Sequence, residues 1–202
     1  MGKEYRSVIS QEEIDGLPAA DFNGRIVIVD RTGRSMSDAV RYLKKQKVLG
    51  FDTETKPVFQ PGEKRHDVAL LQLSGGDRAY LFRICKTGLD SRVAGLLSDD
   101  NIIKVGAAVK DDINGLRRLR WFNPKSFVDL QTVVRGYGIE NVSVKKMAAI
   151  VLGVRVSKTQ RLTNWEASSL TDAQAKYAAI DAWVCREMYL SLNENEIKDV
   201  AV

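Results

Sequence analysis

The chain has 202 residues, a little more than one average domain, so one domain with short extensions is expected. Its composition, 44% hydrophobic and 28% charged with a net charge of +5, is that of an ordinary folded globule and excludes disordered, collagenous and membrane-embedded classes. One histidine, His66, and two cysteines, Cys85 and Cys185, exclude a Cys/His zinc centre, haem or iron–sulfur ligation and a disulfide framework, leaving carboxylates as the plentiful chemical resource.

Residues 1–24 read as an N-terminal extension. In it Ser10-Gln11-Glu12-Glu13 is a capping-box pattern, Ile14 and Leu17 follow, and Pro18 stops a short helix. Arg25-Ile26-Val27-Ile28-Val29-Asp30 is a β-branched run that predicts a strand, and Ala39, Val40 and Leu43 predict a helix over Ser37 to Gln46. Val48-Leu49-Gly50-Phe51-Asp52 predicts a buried strand. Two more strands, Val68 to Leu73 and Ala79 to Ile84, flank the turn signal Ser74-Gly75-Gly76-Asp77. A helix over Ser91 to Leu97, a strand over Ile102 to Ala108, a helix over Asp111 to Leu119 and a short strand over Ser126 to Val128 follow.

Beyond that point helices dominate. Ser143 caps one that runs through Leu152 and ends at Gly153. Thr171 opens the last, through Leu192, with Asp172 in its first turn where the helix dipole favours an anion. Arg155 to Ser169 between them is a polar loop, and 194–202 reads as a tail. The whole is a mixed α/β pattern with a largely sequential sheet and helices packed on it. The start carries no signal-peptide core, and the longest apolar run, Met147 to Val154, is far below the ~18 residues of a membrane span, so a cytoplasmic protein with no membrane segment is expected. Two thiols far apart in sequence suit that reducing compartment.

Three acidic features carry the chemistry. Asp52-Thr53-Glu54 ends an apolar strand, so both carboxylates project to one side, where a divalent cation with a preference for oxygen, Mg²⁺ or Mn²⁺, converts their repulsion into ligation. Asp111 and Asp112 lie where a strand runs into a helix, at the carboxyl end of a strand, where open α/β sheets keep their ligand sites. The helix-packing stripe Ile113, Leu116, Leu119 favours Asp112 of the two, while pattern alone leaves both open. Tyr177 and Asp181 sit one turn apart on the last helix and share a face. Each feature alone is weak, since composition supplies roughly one Asp-x-Glu pair per such chain by chance. Basic residues gather at Arg41/Lys44/Lys45/Lys47, Arg117/Arg118/Arg120, Lys145/Lys146 and Arg155/Lys158/Arg161, most of them readable as solvated helix faces.

In conjunction and in this order, the acids resemble the DEDDy family of 3′-to-5′ exonucleases, which includes ribonuclease D and the Werner exonuclease domain. The resemblance covers about residues 25–193. Val48 to Glu54 resembles the family's first motif, Lys104-Val105-Gly106 through Asp112 the second, and Asn164-Trp165-Glu166 with Tyr177-Ala178-Ala179-Ile180-Asp181 the third. It aligns Asp112, not Asp111, with the metal ligand. Ala108 departs from relatives that carry Asn four places before that Asp.

The resemblance implies a ribonuclease H-like mixed sheet of five to six strands flanked by helices. It implies a 3′-to-5′ exonuclease acting on DNA or RNA, with Asp52, Glu54, Asp112 and Asp181 holding two divalent ions roughly 3.5–4 Å apart and Tyr177 aiming the attacking water. Setting those acids aside raises the basic surplus elsewhere, which suits a nucleic-acid partner. Thr53, Lys158 and Arg161 are candidate strand contacts, with Lys64 and His66 weaker ones, and Trp165 reads as a buried indole before a base-stacking one. The competing reading is a noncatalytic nucleic-acid-binding module of the same fold. A ribonuclease H-type endonuclease leaves the Tyr-x-x-x-Asp helix unexplained.

Overall fold

The structure, a computed structural model, describes residues 4–60 and 62–194, so the first three residues of the expected extension and the expected tail past Glu194 lie outside it. The chain opens with α1 (Gln11–Asp15), β1 (Arg25–Val29), α2 (Arg34–Leu43), β2 (Val48–Thr55), β3 (Val68–Ser74) and β4 (Arg78–Phe82). It continues through α3 (Ile84–Thr87), α4 (Ser91–Leu97), β5 (Ile103–Gly106), α5 (Val109–Leu119) and β6 (Phe127–Asp129), and closes with α6 (Leu130–Gly136), α7 (Val144–Leu152) and α8 (Asp172–Leu192).

Local chemistry accounts for most helix ends. Ser10 and Glu13 form a reciprocal capping box on α1, Thr171 and Gln174 form another on α8, and Ser143 caps α7, which ends on the left-handed Gly153. Two short helices were not foreseen. Asp129 accepts from the Gln131 N–H and starts α6, and β4 stops at Phe82, before the expected Ile84. There Arg83 turns its side chain inward and donates to the carbonyls of Trp165 and Ala167, and α3 begins. The expected helix over Ser37 to Gln46 lies three residues earlier, opened by Gly33 at φ 109°.

The six strands lie in the order β1-β4-β3-β2-β5-β6. The β2-β3-β4 meander is antiparallel and sequential, as expected, whereas β1 skips its sequence neighbour and pairs parallel with β4, at the sheet edge. Crossovers through α2, α4 and α5 cover one face, where Val29, Phe51, Leu73 and Phe82 are buried beneath Met36, Leu43 and Leu116. The other face receives α8, with α6 and α7 continuing the core around Met147, Val184 and Met188. Small residues set how close α8 comes. A Cβ at Gly50 would lie 1.8 Å from the Ala182 carbonyl oxygen, so only glycine lets β2 touch the helix backbone there, opposite the buried alanines 178, 179 and 182.

Candidate active site

That close approach brings together acids from two distant stretches of the chain. Asp52 and Glu54 extend from the same side of β2 as Gly50, and Asp181 precedes Ala182 on α8; one carboxylate oxygen from each of Asp52, Glu54 and Asp181 lies within 4.8 Å of the others. Glu54 and Asp181 are buried and Asp52 is half-buried. The register shift between Glu54 and Thr55 breaks the β2–β3 ladder beside them, a place where bulges commonly re-aim side chains.

Asp112 reaches the carboxyl end of β2 from the opposite side, on α5, and stands outside that tight trio. It is tied to it through Thr53, whose hydroxyl donates to Asp112 Oδ1 while its backbone N–H donates to Asp52 Oδ1 at 2.9 Å. Thr53, expected to touch a nucleic-acid strand, therefore has both its donors engaged by the acids. The residue between the two carboxylates of the first motif organises them, a role that alternation along a strand does not reveal.

The electrostatics are those of a crowded anionic site. Burial, then the charges of Asp181 and Asp112, push the Asp52 carboxyl well above the usual carboxylate range. Burial and the Asp52 charge push Glu54 up to about 9, and burial raises Asp112 to about 6. Asp181 is raised by burial, against the pull of the Lys158 ammonium, whose Nζ sits 3.9 Å from its Oδ2. Tyr177, one turn before Asp181, is held firmly protonated, by burial first and then by the surrounding carboxylates, so its hydroxyl is a proton donor. Its ring packs beside the fully buried Trp165 at 6.0 Å, which puts that indole in the core.

These residues suit divalent cations. The donors are all hard carboxylate oxygens from two elements, and Asp181 Oδ1 is buried with no hydrogen-bond partner among the described residues. Of the other expected contacts, Arg161 and Lys64 are exposed and form no ion pair with the acids among the described residues, and His66 Nδ1 faces Glu166 at 3.0 Å, linking the segment after β2 to the loop before α8.

Residues 27–196 match the 3′-5′ exonuclease family. The chain belongs to that family. It is 28% identical over 168 residues to ribonuclease D of Gluconacetobacter diazotrophicus, covering 81% of this chain and 41% of that protein. It is 32% identical over 189 residues to the mouse bifunctional 3′-5′ exonuclease/ATP-dependent helicase WRN, covering 88% of this chain and 13% of that one. It thus spans less than half the length of these exonuclease relatives. The fold is that of the Aedes aegypti Nibbler EXO domain, with a TM-score of 0.78 at 22% identity over 91% of this chain and 95% of that one. Among the described residues, no helix of this exonuclease-family chain is long and apolar enough to cross a membrane.

Proposed function

We propose that this chain removes nucleotides from the 3′ end of a DNA or RNA strand by metal-assisted phosphodiester hydrolysis. The observation that carries this reading is the convergence of Asp52, Glu54 and Asp181 within 4.8 Å, with Asp112 tethered beside them through Thr53. The four acids Asp52, Glu54, Asp112 and Asp181 would hold two divalent ions, Mg²⁺ or Mn²⁺. Bound ions supply a water ionised near neutral pH and neutralise charge on the phosphate as it reacts.

The protein groups do the rest. Tyr177 donates its hydroxyl proton in a hydrogen bond and orients the attacking water, because a phenol this firmly protonated positions and does not abstract. Water forms the new bond to phosphorus, the bond to the 3′ oxygen breaks, and that oxygen takes up a proton as the shortened strand leaves. Lys158 and Arg161, on the loop between α7 and α8, contact strand phosphates, and Lys158 already reaches the rim at Asp181. The two free cysteines suit action in the cytoplasm.

A 5′-labelled oligonucleotide incubated with Mg²⁺ or Mn²⁺ tests the reading. A descending ladder of single-nucleotide steps supports it; internal cuts, or retention without cleavage, overturn it. Matched DNA and RNA arms read out the sugar preference. A salt titration of binding by Lys158→Ala/Arg161→Ala tests the loop contacts, and an unchanged salt slope refutes them.

A further inference from the structure

At the corner of the sheet diagonally opposite the acids lies a cleft of about 660 Å³ between α2 and the β1/β4 edge. Because β1, β2 and β4 run in the same direction, Asp52 and Glu54 stand at the carboxyl end of β2 while this cleft opens at the amino ends of β1 and β4. The cleft shares the α2 face of the sheet with Val29 and Phe82, whereas Asp52 and Glu54 share the α8 face with Gly50, so the two sites lie on opposite faces, two to three strand spacings and three to five residues apart, roughly 14–22 Å measured in the plane of the sheet.

The cleft is built from cations. Arg25 and Arg78 are direct cross-strand partners, two register positions before Val27 and Tyr80, which floor the cleft. Like charges directly opposite each other in a sheet are destabilising. Arg34 and Arg41 on the facing helix, about 10 Å apart at 1.5 Å per residue, and Lys45 in the turn just past its end add three more cations. Two acids answer them. Asp38 pairs with Arg34 and Arg41, and Asp77 pairs with Arg78 while accepting from the Tyr42 hydroxyl. Arg25 and Lys45 have no ion-pair partner among the described residues, and α2 has neither an acid in its first turn nor a side-chain cap. The Arg78 guanidinium lies over the Tyr42 ring at 4.8 Å from its centroid, which fixes that cation at the cleft wall.

From this arrangement we infer that the α2/β1/β4 cleft is a second phosphate-binding site, which grips the nucleic-acid strand some distance upstream of the 3′ end held at the carboxylates. The inference rests on the exonuclease reading for the identity of its polyanion and on the cleft alone for its chemistry. A concave surface lined by five cations and one acid, Asp38, over a floor of Val27 and Tyr80 is complementary to a row of phosphodiester oxyanions. At roughly 3.4 Å per nucleotide, a strand of about four residues spans the carboxylate site only, and one of about 24 reaches both.

The test is fluorescence anisotropy with 5′-labelled strands of those two lengths, in EDTA so that no hydrolysis occurs, comparing the parent with Arg25→Glu/Lys45→Glu and with the charge-keeping Arg25→Lys/Lys45→Arg. For the long strand, the glutamate variant is expected to bind about tenfold more weakly at low salt, with the slope of log affinity against log salt reduced by about 1.4, and the charge-keeping variant to match the parent. The short strand is expected to bind all three alike. Equal losses for both lengths, no loss for either, or a charge-keeping variant as weak as the glutamate one overturns the inference. Tripolyphosphate supplies the free-anion arm: displacement of the long strand no better than sodium chloride at equal ionic strength supports a strand site, and selective displacement from the parent but not the glutamate variant assigns the cleft to a free oligophosphate and overturns it. Because binding in EDTA needs no catalysis, a chain that yields no ladder yet shows the length-dependent loss sinks the nuclease reading and leaves this one standing.

Discussion

At the scale of single residues, the site is governed by how many carboxylates share one small volume. Asp181 and Asp52 each offer a negative oxygen that an amide cannot replace, while Tyr177 offers one hydrogen bond. Tyr177→Phe is therefore expected to lower nuclease turnover about 10²-fold and leave metal affinity unchanged, and Asp181→Asn to lower it more than 10³-fold and weaken metal binding; gel-resolved turnover with a metal titration checks both. Parental turnover in Tyr177→Phe removes the tyrosine from the mechanism. Glu54 makes a pH prediction. Its folded-state value near 9 lies above its ordinary 4.5, so without metal the folded protein binds the extra proton and is favoured below about pH 4.5. That stability is lost as pH rises through 9. Thermal melts in EDTA are expected to fall on the order of 5 °C between pH 5 and 9, and Glu54→Gln to flatten the fall.

At the scale of elements, two positions carry local costs that sequence pattern hides. Ala108 starts α5 in the left-handed region at φ 57°, held there by its N–H donating to Asp129 Oδ1 at 3.0 Å. A Cβ in that region costs about 1–2 kcal/mol. Ala108→Gly is expected to raise the melting temperature by about 2–4 °C with catalysis unchanged. In β5, Lys104 is fully buried, its amine donating to the Asp99 carbonyl at 2.6 Å beside the Phe127 ring. Burial lowers it to about 8 from an ordinary 10.5, so the unfolded chain binds the proton more readily and stability rises with pH between those values. Over pH 8–9 this gain offsets the loss from Glu54, so denaturant midpoints of the parent are expected to climb only over pH 9–10.5, and those of Lys104→Met to show no climb there.

At the scale of the molecule, the site joins elements that lie far apart in the chain. β2 and α8 meet at Gly50 and Ala182, and α5 adds Asp112 from the other side of the sheet. A cation bound by the folded chain and not by the unfolded one stabilises the whole fold, by about 2.7 kcal/mol at a hundred times its Kd. Mn²⁺ is therefore expected to raise the melting temperature by about 5–10 °C over EDTA, more at pH 8 than at pH 5 because ligation displaces protons from raised carboxyls. Asp52→Asn is expected to abolish the rise; an equal rise in that variant refutes the ligand assignment.

The sequence by itself determined whatever depends on neighbours a few residues apart. The capping boxes at Ser10 and Thr171, the turn at Ser74 to Asp77, the Gly153 stop and the same-side spacing of Asp52 with Glu54 and of Tyr177 with Asp181 are all set by backbone geometry within a turn or a strand. Family resemblance extended that to four acids acting as one group. Only the tertiary structure decided how Asp112 joins them, that Thr53 is its tether, that β1 pairs with β4, and that Arg25 faces Arg78. Strand order and cross-strand register are fixed by burial summed over the whole sheet, and no short stretch of the chain carries that sum.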